Sequence, residues 1–216
     1  MDREIQDLAA ELVKMAAEDA RVRERLAHDG TLYEGYNPEM RAVHDRNAAR
    51  LAEILDSRGW PMRSLVGEHA ARAAWLILQH AISHPGLQRR GLALLKEAPA
   101  GEVAPVEIAM LEDRIRTYEG RGQLYGTQFD WDEKGEMSPL NIEDPDDVDE
   151  RRAAINLPPL EEEIKRRRAA ISRTRERPPA DWAGRKRKME MWFRAVGWRK
   201  DGEGENRKAK GGRKGG

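Results

Sequence analysis

The sequence contains no cysteine. This absence excludes disulfides, thiolate catalysis and cysteine-ligated zinc. Long apolar runs are also missing: the most apolar stretch, residues 70–82, is interrupted by Arg72, Gln79 and His80 and is far shorter than the roughly 20 residues that span a bilayer. The N-terminus, MDREIQDLAAELVK, has acidic residues where a signal peptide has basic ones. We therefore expect a cytoplasmic protein that does not bind membranes.

The net charge of zero combines two opposite contributions. Residues 1–177 carry 27 basic and 34 acidic side chains, whereas residues 178–216 carry 12 basic and 5 acidic ones. Charged residues make up 36% of the chain, well above the roughly 25% of an ordinary soluble domain. We predict an acidic domain over 1–177, a basic tryptophan-containing helix over 178–198 that carries no part of the core, and a disordered glycine-rich tail over 199–216.

Apolar residues recur at helical spacing through most of the acidic domain, so we predict a mainly α fold with five or more helices. Helices are expected over 2–27, from Pro38 to about Ser57, from Ser64 or Gly67 through Ala81, over 85–97, over 105–119 and over 160–177. The third of these is apolar nearly all round, which predicts a buried central helix. A turn-rich DEKGE segment between QLYGTQFDW and MSPLNI predicts a small β-hairpin near 122–142.

Polar residues interrupt the apolar faces of three predicted helices. Asp19 continues the spacing of Ile5 and Leu12 in the first helix, and His44 and Asn47 fall between Met40 and Leu51 in the second. In the third helix Gln79 and His80 are adjacent. Buried polar groups need partners, so these side chains predict a polar pocket among helices. His80 or His44 would act as acid or base, and Asp19 would orient a histidine or complete a two-histidine, one-carboxylate metal site. A hydrogen-bond network that only fixes helix register is the alternative.

Other patterns are weaker, and we assign no residue as a metal ligand. His80 and His84 have the spacing of a zinc pair, but His84 precedes Pro85 and is expected to leave the helix. Asp130 and Asp132 resemble the start of a calcium loop that lacks its closing glutamate. The signatures G-x-G-x-x-G, the P-loop and G-x-S-x-G are absent, so the sequence predicts no particular cofactor. The uncharged groups of Gln123, Tyr125 and Gln128 suit either a polar ligand or the needs of their own turn.

Three stretches carry a family resemblance: GWPMRSLVGEHAARAAWLILQHA, LEDRIRTYEGRGQLYGTQFDWDEKGEMSPLNIED and VDERRAAINLPPLEE. They resemble the bacterial domain-of-unknown-function family 6624 over roughly residues 1–163. The resemblance implies that the matched motif positions matter, without implying an activity. These positions are Asp19, Arg23, Asn47, Gly59, Trp60, Pro61, Gln79, His80, Asp113, Arg114, Gln123 and residues 125–128. Asn156 departs from the family pattern, because the resemblance leads us to expect glycine there.

The leading hypothesis is a small enzyme or ligand-binding domain with a pocket for a small polar ligand. Its catalytic candidates are His80, His44 and Asp19. Its ligand-binding candidates are Asn47, Gln79, Asp113, Arg114, Gln123, Tyr125 and Gln128; the last three would form a lid, and Asp113 and Arg114 a supporting ion pair. One alternative is an interaction module that binds a protein partner and performs no chemistry. Another is nucleic-acid binding through the basic tail alone, where residues 185–188 adjoin Trp192 and Trp198.

Overall fold

The computed structural model describes residues 2–33, 35–174 and 176–200. Within them the chain is mainly α with one two-stranded antiparallel sheet, as predicted. The helices are α1 (Arg3–His28), α2 (Pro38–Arg58), α3 (Arg63–Val66), α4 (Glu68–His80), α5 (Pro85–Glu97), α6 (Pro105–Tyr118), α7 (Val148–Ala153), α8 (Leu160–Ile171) and α9 (Trp182–Ala195), and the strands are β1 (Phe129–Trp131) and β2 (Met137–Pro139). None of the described helices is long and apolar enough to cross a membrane.

Local sequence accounts for the ends of the first helices. The side chain of Asp2 accepts a hydrogen bond from the backbone of Glu4 at the start of α1. Asn37 caps α2 in the same way, and Pro38 occupies the first helical position, where its missing N–H costs nothing. Gly59 ends α2 with a positive φ of 74°, a conformation that glycine adopts without a steric penalty.

Helix α4 is the centre of the core. It packs against α1, α2, α3 and α5, and the side chains of Ala74 and Leu78 are completely buried. The prediction of a central helix is therefore confirmed. Of the two predicted start points, Gly67 is the one the structure uses, since it precedes α4 with a φ of 83° and separates it from the short helix α3.

The predicted hairpin is present but its strands are short. Phe129 pairs with Pro139 and Trp131 with Met137. The turn is closed by Asp132, whose carboxylate accepts hydrogen bonds from the backbone amides of Lys134 and Glu136. The Asp132 carboxylate therefore stabilises its own turn, which is the alternative to a role as a calcium ligand.

Helix α8 ends earlier than the charge pattern predicts, at Ile171 instead of Arg177. The hydroxyl of Ser172 donates to the carbonyl of Ala169, and that of Thr174 donates to the carbonyl of Ile171. These hydroxyls donate to terminal carbonyls that would accept hydrogen bonds from backbone amides if the helix continued for another turn. Asn156, the departure from the family pattern, has a φ of 59°, which shows that asparagine makes this turn in the left-handed region where glycine was expected.

The basic C-terminal segment belongs to the core, contrary to our prediction. Phe193 on α9 and Trp198 just after it are buried in the main apolar cluster. The indole N–H of Trp198 donates to the carbonyl of Ile82, 2.7 Å away, and Arg199 donates to the carbonyls of Thr117 and Tyr118. The charge pattern misled us because α9 is amphipathic and directs its basic residues outward. Arg199, the first residue of the tail predicted to be disordered over 199–216, is therefore held by the fold, and the part of that tail beyond residue 200 lies outside the described residues.

Candidate functional site

Three helices bring polar side chains to one point in the core. Asp19 is a buried acid on the apolar face of α1, and His44 lies on the buried face of α2. His80 is the last residue of α4. The helical spacing that suggested these residues from the sequence therefore does place them together.

A single carboxylate oxygen of Asp19 lies between the two imidazoles. Oδ2 of Asp19 is 2.8 Å from Nδ1 of His80 and 3.3 Å from Nε2 of His44. The two rings face each other with their centroids 5.1 Å apart. The side chains of Asp19 and His44 are 5% and 8% exposed, whereas that of His80 is 28% exposed. Of the three, His80 is the one accessible to solvent.

The contacts define the tautomers of both histidines. Because an ionised carboxylate only accepts hydrogen bonds, the nitrogens that face Asp19 carry the protons, namely Nδ1 of His80 and Nε2 of His44. The other nitrogen of His44, Nδ1, lies 2.8 Å from the hydroxyl of Tyr36 and accepts a hydrogen bond from it. In the neutral ring, Nε2 of His80 has a free lone pair, and no described residue donates a hydrogen bond to it.

Burial and charge act against each other at this site. Burial raises the pKa of Asp19, but hydrogen bonds and electrostatic interactions with His44 and His80 outweigh it, so the pKa lies far below its usual value. Burial lowers the pKa of His80 despite the opposing effect of Asp19, and the charges of Arg114 and His44 lower it further. Burial raises the pKa of the Tyr36 phenol. At neutral pH the site therefore contains a carboxylate, a neutral His80 and a neutral phenol.

Two of the predicted ligand-binding residues adjoin this centre without taking part in its hydrogen bonds. Asn47 donates to the backbone carbonyl of Met15, 3.3 Å away, and so ties α2 to α1. Gln79 is 3% exposed, and both polar atoms of its amide lack a hydrogen-bond partner among the described residues. Asn47 therefore has a structural contact, whereas the amide of Gln79 has none among the described residues.

The other predicted ligand-binding residues form a second cluster below the hairpin. Asp113 accepts hydrogen bonds from the backbone amides of Leu124, Tyr125 and Thr127, and from the Thr127 hydroxyl. Burial raises the pKa of Asp113, against these hydrogen bonds. No ion pair joins Asp113 to Arg114 in the described chain, so the structure departs from that expectation: Asp113 is used to hold the loop.

The predicted lid residues also bind the hairpin's own backbone. Gln123 is fully buried and donates to the carbonyls of Gln128 and Leu140. Gln128 donates to the carbonyl of Met110, and Gly126 has a φ of 63° in a turn where a Cβ would meet Leu160. These contacts match the alternative in which the segment satisfies its own turn. No hydrogen bond is seen for the Tyr125 hydroxyl in the described chain.

A second histidine–carboxylate pair lies nearer the surface. Nε2 of His84 is 2.9 Å from Asp45, and about a third of each side chain is exposed. His84 lies outside α4, as expected, and pairs with Asp45 instead of sharing an ion with His80. This pair provides a matched control for experiments on the buried centre.

Sequence reasoning missed three residues at the site: Tyr36, Ser83 and Trp192. Tyr36 comes from the loop before α2, and Trp192 from α9 packs edge-on against its ring, with centroids 5.9 Å apart. The hydroxyl of Ser83 lies close enough to the Tyr36 phenol to oppose the rise in its pKa, although it lacks standard hydrogen-bond geometry. Tyr36 and Ser83 lie in loops, which carry no periodic signal in the sequence. Trp192 could have been indicated by the aromatic stripe of α9.

This centre can move a proton or hold a cation. Asp19, His44 and His80 each offer one ligand atom, and these atoms lie within 4.8 Å of one another. Two imidazoles and one carboxylate are a donor set that suits divalent transition metals. The hydrogen bond from Tyr36 to the other nitrogen of His44 is the kind of outer contact that orients a metal-binding imidazole.

Comparison with known proteins gives one match. No curated protein and no solved structure matches the chain. A family profile described as a family of unknown function, DUF6624, matches residues 6–173. The match includes Asp19, His44 and His80, and it ends before α9. The chain belongs to this family of unknown function.

Proposed function

We propose that the protein is an enzyme in which His80 transfers a proton to or from a small polar substrate, with Asp19 as its orienting partner. The observation that carries this proposal is the hydrogen bond between Nδ1 of His80 and Asp19. It directs the free lone pair of Nε2 away from the carboxylate, on the one ring of the centre that is partly exposed. A positioned histidine of this kind accelerates proton transfer by about 10²- to 10⁴-fold.

Each remaining group supports the proton transfer. Because the pKa of His80 is lowered, its ring is uncharged at neutral pH, and Nε2 can accept a proton. When Nε2 takes a proton, the negative charge of Asp19 stabilises the imidazolium. His44 holds the same carboxylate oxygen and is itself held by the hydroxyl of Tyr36. Asp19 and His44 are positioning residues, because their polar atoms face other protein groups.

A substrate screen with paired variants tests this function. Purified full-length protein is assayed against chromogenic phosphate esters, carboxylic esters and glycosides. We expect turnover of at least one class, and a loss of about 100-fold or more in kcat for His80→Gln. His84→Gln, which alters the exposed pair, should retain full activity. Equal activity of wild type and His80→Gln on every hydrolysed substrate would contradict the assignment.

Binding of a divalent transition metal is a second candidate function. It is favoured by the convergence of Asp19, His44 and His80, and by the distances of 2.8 and 3.3 Å between their donor atoms. Ligands of a metal lie about 3 Å apart when each metal–ligand distance is about 2.1 Å. A metal bound in this way would replace the proton on Nδ1 of His80, so the two candidate functions are mutually exclusive states of that ring.

Metal binding is tested by calorimetric titration of the full chain with Zn²⁺ and Mn²⁺ after dialysis against a chelator. A resident metal would bind in a one-to-one ratio, and His44→Ala would weaken binding by about tenfold or more. His84→Ala should leave the isotherm unchanged. Absence of one-to-one binding, or its persistence in His44→Ala, would exclude this candidate while leaving the proton-transfer proposal standing.

A further inference from the structure

Several buried polar atoms without a hydrogen-bond partner belong to the helices and loops around the His80 centre. In the described part of the chain they belong to seven residues, of which five are connected to the site: Gln79, Ser83, Arg114, Thr117 and Trp192. Buried polar groups in folded proteins are nearly always hydrogen-bonded. A group of unpaired atoms at one place therefore indicates that something outside the chain binds there.

Three of these residues are placed at the site by their neighbours. Gln79 precedes His80 on α4 and is 3% exposed, with both amide atoms unpaired. Ser83 lies beside the Tyr36 phenol, against which the Trp192 ring also packs. Ser83 and Trp192 thus adjoin the Tyr36 end of the His80–His44–Tyr36 chain of contacts, and Gln79 is the helical neighbour of His80.

Arg114 is the charged member of this group. It is half-buried on α6, one turn before Tyr118, whose ring packs edge-on against Trp192, and its positive charge contributes to lowering the pKa of His80. Neither nearby acid is its partner, because Asp19 binds the two histidines and Asp113 binds the loop amides. The Nε atom of this guanidinium is buried and has no hydrogen-bond partner, and an unpaired buried donor of a charged group is unfavourable, so its surroundings lack an acceptor.

Thr117 extends the same face of α6. It follows Arg114 at the i, i+3 spacing that makes neighbours on a helix surface, and its hydroxyl is unpaired. The next residue, Tyr118, packs edge-on against Trp192 with the ring centroids 6.2 Å apart. The contact between Tyr118 and Trp192 therefore joins α6 to α9, and Arg114 and Thr117 lie on α6 within one turn of it.

The chemistry of the unpaired groups is that of donors. The guanidinium of Arg114 and the indole N–H of Trp192 can only donate, and the Ser83 and Thr117 hydroxyls and the Gln79 amide can also donate. We propose that these donors bind an anionic oxygen group, a phosphate or a carboxylate, with Arg114 as its main ligand. The identification of this anion as a group of the substrate rests on the proposed function. The binding of an anion does not depend on it.

The test is calorimetric titration of the full chain with inorganic phosphate and, in a second arm, with acetate, both against a background of constant ionic strength. We expect one-to-one binding of at least one anion. Arg114→Gln should weaken it by about tenfold or more, because charge-assisted hydrogen bonds to arginine are among the strong ones. Arg90→Gln, which removes an exposed arginine paired with Asp56, should bind as wild type does.

The two arms identify the ligand chemistry. Tighter binding of phosphate indicates a phosphoryl group, and tighter binding of acetate indicates a carboxylate. If Arg114→Gln does not fold, Arg114→Lys replaces it; this variant keeps the charge but loses the planar fork, and we expect it to bind the anion about threefold or more weakly than wild type.

Failure of this proposal is distinguishable from failure of the proposed function. If neither anion binds, or if Arg114→Gln binds as well as wild type, the unpaired groups hold only water and the anion site is overturned, whatever the substrate screen shows. If the anion binds through Arg114 but His80→Gln has no effect on any activity, the anion site stands and the assignment of His80 fails.

Discussion

Nδ1 of His80 lies 2.8 Å from a carboxylate oxygen of Asp19, although the two residues are 61 positions apart in the chain. The contact joins the end of α4 to the middle of α1 inside the apolar core. It makes one ring nitrogen a donor and leaves the other free. The chemical character of the centre follows from this pair.

We expect Asp19→Asn to lower the free energy of unfolding by about 1–3 kcal/mol. The amide is neutral and cannot accept protons from two imidazoles as strongly as the carboxylate does. The measurement is urea unfolding at about pH 7. Asp45→Asn, at the more exposed pair with His84, should cost less than about 1 kcal/mol. Equal losses in both variants would show that the buried centre has no special energetic role.

The stability of the protein should fall as the pH drops below about 6.5, the usual pKa of histidine. The pKa of His80 is lowered in the folded state, so the unfolded chain binds the proton more readily. Protonation therefore stabilises the unfolded state relative to the native state. The lowered pKa of Asp19 acts in the same sense at lower pH, since the stability it provides is lost once the unfolded carboxyl, with its usual pKa near 3.8, takes up a proton.

This pH dependence is measured by urea unfolding at a series of pH values. His80→Gln should show a shallower loss of stability between about pH 7 and pH 5 than wild type does. His28→Gln, which changes an exposed histidine, is the control and should retain the wild-type slope. A wild-type slope in His80→Gln would mean that another group causes the effect.

Trp198→Ala should destabilise the protein by about 3–5 kcal/mol, the usual cost of removing a large buried aromatic side chain. The ring is 3% exposed, and its N–H donates to Ile82. Met191→Ala changes a residue of α9 that is 70% exposed and should shift stability by less than about 0.5 kcal/mol. Thermal or urea unfolding compares them, and a small effect of Trp198→Ala would mean that the C-terminal segment is not part of the cooperative core.

Asp113→Ala should cost about 3 kcal/mol or more, because it leaves the amides of Leu124, Tyr125 and Thr127 without their acceptor. Hydrogen exchange at these amides should accelerate with it. Glu112→Gln, which weakens the neighbouring ion pair with Lys96, should have an effect below about 1 kcal/mol. If Asp113→Ala abolished activity without loss of stability, Asp113 would be a ligand-binding residue after all.

Helical periodicity by itself determined most of the helices and the inward positions of Asp19, His44, Asn47 and Gln79. This was possible because a core requires apolar residues at a fixed spacing, so a polar residue at such a position stands out. Local capping signals similarly determined the starts of α2 and α5.

Only the tertiary structure decided which of these polar residues meet. Asp19 and His80 are brought together by the packing of α1 on α4, which no local pattern encodes. Tyr36 reaches His44 from a loop, and Trp192 and Trp198 join the fold from a segment whose net charge suggested a solvated tail. Conversely, Asp113 and Arg114 are adjacent in sequence but face different partners, because consecutive residues of a helix point about 100° apart.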